Sequence, residues 1–191
     1  YYESKGSAQV KSSLMLAALN TPGTTKIVAH KSRDHTEILF KYLKIPIKIK
    51  KTKKLSFIEI EGKNNIKSFN YNISSDISSS AFFIVLTLLS KKSSLTVKNV
   101  NINPSRAGSI NILNKMGAKI IFRNKREYKG EKIADIYVKS AKSLKAIKCP
   151  TKYNSSSIDE FLIIFLVAAK SKGISFFKDL SELNQKESPR L

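Results

Sequence analysis

Serine, aspartate, arginine and lysine gather in short loops that each run straight into an apolar helical stretch. The first is Gly6-Ser7-Ala8-Gln9-Val10-Lys11-Ser12, ahead of Leu14, Leu16, Ala17, Ala18 and Leu19. Ser32-Arg33-Asp34-His35-Thr36 precedes Ile38, Leu39, Tyr42 and Leu43, and Ser78-Ser79-Ser80 precedes Ala81 to Leu89. Pro104-Ser105-Arg106, then Ser157 with Ile158-Asp159-Glu160, then Lys186-Glu187-Ser188-Pro189-Arg190 continue the pattern. A helix N-terminus offers unpaired N–H groups and a partial positive charge, so a hydroxyl-bearing loop at that position suits phosphate or carboxylate. Taken singly, each loop reads first as a helix cap, because Ser, Thr and Asp are the preferred capping residues. Their recurrence, several with a cation, points to a shared anion site.

The elements that must position these loops repeat. Ser7 to Val28, Ser78 to Val97 and Ser155 to Phe177 share one plan of loop, apolar helix, turn and strand, recurring at about 70–80 residues, a comfortable length for one supersecondary unit. The strands expected after the helices are Lys26 to His30, Leu95 to Val97 and Ile174 to Phe177. A second loop and helix then follow. Ile38, Leu39, Tyr42 and Leu43 mark one buried helical face, and Ile110, Ile112, Leu113 and Met116 mark another, which opens at Pro104-Ser105-Arg106 and closes at Gly117. Strand-like stretches come behind: Pro46 to Lys50, Ser56 to Glu61 and Ile66 to Asn72, then Lys119 to Arg123, Ile133 to Lys139 and Leu144 to Cys149. The unit is therefore β-α-β-α-β-β, with two nearly complete copies and a shortened third, and an α/β architecture follows.

Composition bounds the function. With 191 residues, 41% of them hydrophobic, the chain can build one sizeable core or two small ones. No apolar run approaches the roughly 18 residues of a membrane-spanning helix, so no membrane role is expected. A single cysteine, Cys149, excludes an internal disulfide framework, and no metal-ligand spacing is present, so neither metal nor cofactor is expected. A reducing, cytoplasmic setting fits. The chain begins at Tyr1 and is expected to start within a longer protein.

The net charge of +21 would by itself suggest a nucleic-acid partner. Its lysines, however, are spread among Ile, Asn and Ser, whereas a recognition surface concentrates Arg and aromatics on one element. Nucleic acid is not the expected partner, and the run Lys48 to Lys54 reads as solvated strand ends around a turn. A positive field also concentrates phosphorylated metabolites.

Six segments, in order, resemble the enolpyruvyl transferases, and specifically their shikimate-phosphate branch. They are Ser7-Ala8-Gln9-Val10-Lys11-Ser12, Ser32-Arg33-Asp34-His35-Thr36-Glu37, Asp76-Ile77-Ser78-Ser79-Ser80-Ala81-Phe82-Phe83, Asn103-Pro104-Ser105-Arg106 with Met116-Gly117-Ala118, Ile158-Asp159-Glu160, and Lys186-Glu187-Ser188-Pro189-Arg190. The resemblance implies an α/β, two-domain fold built from repeated β-α-β-α-β-β units and incomplete in this chain. Residues 1–73 would finish one domain and 74–191 would form a large part of the second, truncated at its C-terminus. The usual Pro-Gly before the Asp is Ser74-Ser75 here.

The reaction implied by the resemblance transfers the enolpyruvyl group of phosphoenolpyruvate to the 5-hydroxyl of shikimate 3-phosphate and releases phosphate, in chorismate and aromatic amino acid biosynthesis. Asp159 would accept the hydroxyl proton, and Glu187 would protonate and later deprotonate the methylene carbon. Ser7, Ala8, Gln9, Ser32, Arg33, Asp159 and Lys186 would bind shikimate 3-phosphate, and Gln9 and Arg190 phosphoenolpyruvate. The capping alternative applies to Asp159, and a surface ion pair with Asp34 or Glu37 is the alternative for Arg33. Pro189 replaces the Asp of the family's Lys-Glu-Ser-Asp-Arg, and Asn184-Gln185 stand where Arg-Val is usual.

The family's catalytic Lys and a phosphoenolpyruvate-binding Arg would precede Tyr1, and further phosphate-binding cations would follow Leu191. The chain alone is therefore expected to show no turnover, and the complete enzyme to be a monomer. Competing readings are the sister transfer to UDP-N-acetylglucosamine, a basic nucleic-acid-binding module, and a non-catalytic repeat domain.

Overall fold

The computed structural model describes residues 1–4, 6–63 and 66–185, and it divides into two compact units. One comprises Tyr1–Asn72 with Tyr128–Glu131, and the other Ile73–Glu127 with Lys132–Leu191.

In the first unit the elements run β1 (Tyr2–Glu3), α1 (Ala8–Asn20), β2 (Thr24–His30), α2 (His35–Tyr42), β3 (Ile47–Lys51) and β4 (Leu55–Glu61). This is the β-α-β-α-β-β plan read from the repeats. The sheet order is β1-β2-β4-β3, with β1 parallel to β2 and both other pairings antiparallel. Alternation along β4 buries Ser56, Ile58 and Ile60 on one face, and Ile27 and Ala29 of β2 join them. Lys11, Met15 and Ala18, at intervals of four and three, turn inward from α1 onto this face, and Phe40 does so from α2. Each fully buried Ile, Met or Phe contributes about 1.5–3 kcal/mol. The lysine run lies on β3 and the turn after it, where the Thr52 N–H donates to the Leu55 carbonyl and the Leu55 N–H to Thr52 Oγ1. The turn Tyr128–Glu131 belongs to this unit and sets the Lys129 ammonium 5.2 Å from the ring centroids of Tyr42, Tyr71 and Tyr128.

The second unit repeats the plan with α3 (Ile77–Leu89), β5 (Ser94–Asn101), α4 (Gly108–Lys115) and the hairpin of β6 (Ile120–Tyr128) and β7 (Glu131–Lys139), in sheet order β5-β7-β6. An isolated parallel bridge between Ser75 and Val100 stands where β1 pairs with β2 in the first unit. α5 (Phe161–Ala169) packs with α3 and α4 on the core built around Ile84, Leu88, Ile112, Leu113, Phe161, Ile164 and Val167. Gly117, at φ +99°, follows α4 in the left-handed conformation that a residue with Cβ adopts only at a cost, so the helix stops where its pattern indicated.

Four expectations are corrected. Residues 66–72 form no strand; this stretch supplies Tyr71 to the aromatic cluster instead. Leu144 to Cys149 is not the last strand of the second copy. Its Lys145 and Lys148 form isolated parallel bridges with Lys172 and Phe176, so it occupies the first-strand position of the third copy, around α5. Ile174 to Phe177 likewise contributes only a bridge. Helix α4 begins at Gly108 rather than at Pro104, because Asn103 accepts hydrogen bonds at its side chain and carbonyl from Ser105, Arg106 and Ala107 and holds a turn there. Among the described residues no helix is long and apolar enough to cross a membrane.

Candidate functional site

Within the first unit, the N-terminal ends of α1 and α2 carry the predicted anion-binding residues. Ser7 is the N-cap of α1, with its Oγ accepting from the Val10 N–H at 3.3 Å. The capping role is therefore real, and it still leaves the hydroxyl proton free to point elsewhere. Gly6, at φ +72°, turns the chain into the cap while its N–H donates to the buried Glu3 carboxylate at 2.9 Å. Ala8 is half-buried and Gln9 is exposed.

Ser32 and Arg33 lie in the loop before α2, both half-buried. The Ser32 Oγ atom itself is fully buried and has no hydrogen-bond partner among the described residues. Buried hydroxyls are nearly always satisfied, so this one, in the loop that leads into α2, stands out, as do the buried Ser109 and Ser157 hydroxyls of the second unit. Asp34 lies 2.6 Å from Lys51 Nζ, and Glu37 lies 2.7 Å from Lys11 Nζ.

Lys11 and Glu37 tie the two loops together. Their side chains are 1% and 2% exposed, and Lys11 Nζ also donates to the Arg33 carbonyl at 2.6 Å. One residue on, Ser12 Oγ and Thr36 Oγ1 share a hydrogen bond of 2.7 Å. From sequence alone Lys11 carries no assigned role. A signal was available: a lone cation in the first turn of an apolar helix opposes the helix dipole and needs a local anion.

In the second unit a comparable polar chain fastens the start of α3. Asp76 caps the helix, accepting from the Ser79 N–H at 2.8 Å and the Ser79 hydroxyl at 3.0 Å, and its Oδ1 lies 3.0 Å from Arg106 Nη2. Burial pushes the Asp76 carboxyl upward, but the Ser79 hydrogen bonds and the Arg106 charge outweigh it and hold the group below the usual carboxylate range. Arg106 also donates to the Ser78 hydroxyl, which donates to the carboxylate of Glu160. Glu160 is 4% exposed and is the N-cap residue of α5, without a side-chain cap bond. The capping alternative for Asp159 is thus not realised: Asp159 sits half-buried one residue earlier, in the turn Ser157–Glu160. Ser78, Arg106 and Glu160 were not assigned roles from sequence, because their mutual contact joins segments far apart in the chain. Lys186, Glu187 and Arg190 lie outside the described residues.

Over its whole length, residues 1–191, the chain matches the family described as EPSP synthase (3-phosphoshikimate 1-carboxyvinyltransferase). The chain belongs to this family. It is 40% identical over 186 residues to the 3-phosphoshikimate 1-carboxyvinyltransferase of Zymomonas mobilis, covering 97% of this chain and 41% of that protein. It is 41% identical over 186 residues to the protein of the same name from Ruthia magnifica, covering 97% and 42%. A solved EPSP synthase from Acinetobacter baumannii superposes with a TM-score of 0.86 at 36% identity, over 100% of this chain and 42% of that one. A structure of the enolpyruvyl transferase NikO from Streptomyces tendae, at 14% identity and a TM-score of 0.60, shares the fold over 83% of this chain and 36% of its own. The chain thus spans 41–43% of the length of the EPSP synthases it matches.

Proposed function

We propose that the full-length protein transfers the enolpyruvyl group from phosphoenolpyruvate to the 5-hydroxyl of shikimate 3-phosphate, releasing phosphate. The observation that carries this reading is the buried, unpartnered Ser32 hydroxyl in the loop that Lys11 ties to α1, one helical turn from Ser7. Two helix N-termini and two serine hydroxyls, held together within one unit, form an acceptor for the 3-phosphate, and Arg33 adds a charge-assisted contact. The relatives at 40% and 41% identity are named for this reaction. Neither the transfer to UDP-N-acetylglucosamine nor a nucleic-acid role has comparable support.

In the proposed reaction the 5-hydroxyl oxygen bonds to C2 of phosphoenolpyruvate, Asp159 takes the hydroxyl proton, and Glu187 gives a proton to C3, forming a tetrahedral intermediate. Glu187 then takes a proton back from the new methyl group as the C2–O bond to phosphate breaks, and the departing phosphate oxygen takes up the proton that Asp159 had accepted, leaving the enolpyruvyl ether, hydrogen phosphate and both carboxyl groups in their starting states. One carboxylate acts as base and the other as acid, then base, so their environments must set their proton affinities apart. Gln9 would contact both substrates, Lys186 would hold shikimate 3-phosphate and Arg190 phosphoenolpyruvate, fixed donors that oppose developing negative charge. The two units would belong to two domains, with the chain passing from one to the other near Asn72, and the enzyme would be a cytoplasmic monomer needing no cofactor.

Calorimetric titration of shikimate 3-phosphate into the full-length protein tests the reading. Binding that Ser7→Ala and Ser32→Ala each weaken about tenfold, equivalent to 1.4 kcal/mol, is the expected result. Absence of binding, or heat only with UDP-sugars or oligonucleotides, would overturn it.

A further inference from the structure

The Lys11–Glu37 pair raises a question of cost. Taking an ammonium and a carboxylate out of water is expensive, and a pair of apolar side chains of similar volume commonly stabilises a core as well or better. Lys11 moreover sits in the first turn of α1, where the helix dipole disfavours a cation. What an apolar pair could not do is bond the Arg33 carbonyl, which Lys11 Nζ reaches at 2.6 Å. At 1% exposure the ammonium has no surface with which to touch a ligand itself. Its bonds therefore act on the loops: they anchor the backbone of Ser32-Arg33 to the turn of α1 that Ser7 caps, and Glu37, in the first turn of α2, completes the anchor.

We infer that Lys11 and Glu37 form a positioning pair, which sets the Ser7 and Ser32 loops at the separation needed to hold a tetrahedral phosphate ester. The inference rests on the reading of Ser7 and Ser32 as phosphate-binding residues and adds to it the device that spaces them. Two hydroxyls converge on one phosphate only if their backbones are fixed, because small displacements at a preorganised site forfeit most of its binding. The neighbouring Ser12–Thr36 bond braces the same two helix ends on their less buried side.

The test compares two double variants of the full-length protein. Lys11→Met/Glu37→Leu removes both charges together and keeps the volume, and it is expected to melt close to the wild type while losing at least tenfold in affinity for shikimate 3-phosphate. Affinity for unphosphorylated shikimate should stay unchanged, since a spacing defect acts on the phosphate alone. Lys11→Gln/Glu37→Gln keeps a polar bridge and a donor for the Arg33 carbonyl, and it is expected to bind shikimate 3-phosphate within about threefold of the wild type. Unchanged affinity in the Met/Leu variant, equal losses for both ligands, or a tenfold loss in the Gln/Gln variant would each overturn the inference. A wild-type protein that binds no shikimate 3-phosphate would instead overturn the underlying phosphate reading, a distinguishable result.

Discussion

Arg106 Nη2 lies 3.0 Å from Asp76 Oδ1, and through the Ser78 hydroxyl the same guanidinium is linked to the buried Glu160. The cap of α3, the turn before α4 and the turn before α5 are thereby joined by one polar chain ending beside Asp159. The chain runs from the partly exposed Asp76–Arg106 pair to the buried Glu160, so a cut at its inner end removes a hydrogen bond from a carboxylate with little access to water.

Ser78→Ala is the smallest such cut. It takes away the donor to Glu160 and the acceptor for Arg106, and is expected to destabilise the second unit by about 1–3 kcal/mol. Urea unfolding followed by a probe placed in that unit reads the change; a midpoint equal to the wild type would show that the chain of bonds contributes nothing.

Asp76 links stability to pH. Its carboxyl is held below the roughly 3.9 expected of an unfolded Asp, so its contribution is complete above that value and is lost as pH falls through the lower folded value. Asp76→Asn keeps a cap acceptor and drops the charge, so the acid limb of its stability profile should be shallower than that of the wild type below about pH 4. Asp76→Ala loses the cap as well and should cost about 1 kcal/mol at neutral pH. Superimposable acid limbs for wild type and Asn variant would refute the assignment.

At Gly108 the limit is steric. A Cβ built there would lie 2.2 Å from Ser156 Oγ and 2.3 Å from Ser157 Oγ, in the turn that leads to Asp159. Gly108→Ala should push that turn away and destabilise the second unit by about 1–3 kcal/mol. Pairing it with Ser156→Gly should recover part of the loss, and thermal melts of the single and double variants would decide it.

Cys149 is buried, and desolvation raises its thiol pKa. In native buffer at pH 7–8 it should react with a disulfide reagent far more slowly than after unfolding in guanidinium. Immediate full labelling of the native protein would contradict this.

Local pattern carried much of the architecture. Apolar spacing marked α1, α3 and α5, Gly117 marked the end of α4, and the repeat itself yielded the β-α-β-α-β-β order later seen in the first unit, because these signals depend on neighbours within a turn or two. Ser7 and Ser32 were readable as anion-site candidates for the same reason. The partner of Leu144 to Cys149 was not, since whether a short apolar stretch closes one repeat or opens the next depends on which distant segment bonds to it. Nor did composition reveal that Lys11 is a buried member of an ion pair rather than one more surface lysine. That depends on Glu37 and the Arg33 carbonyl arriving at the same point, as the Ser78–Glu160 bond depends on the start of α3 meeting the turn before α5, 82 residues away. Sequence determined which residues could hold an anion; tertiary packing decided which charges were cancelled inside the protein and which buried hydroxyls, that of Ser32 among them, were left without a partner among the described residues, because burial and pairing are properties of distant neighbours.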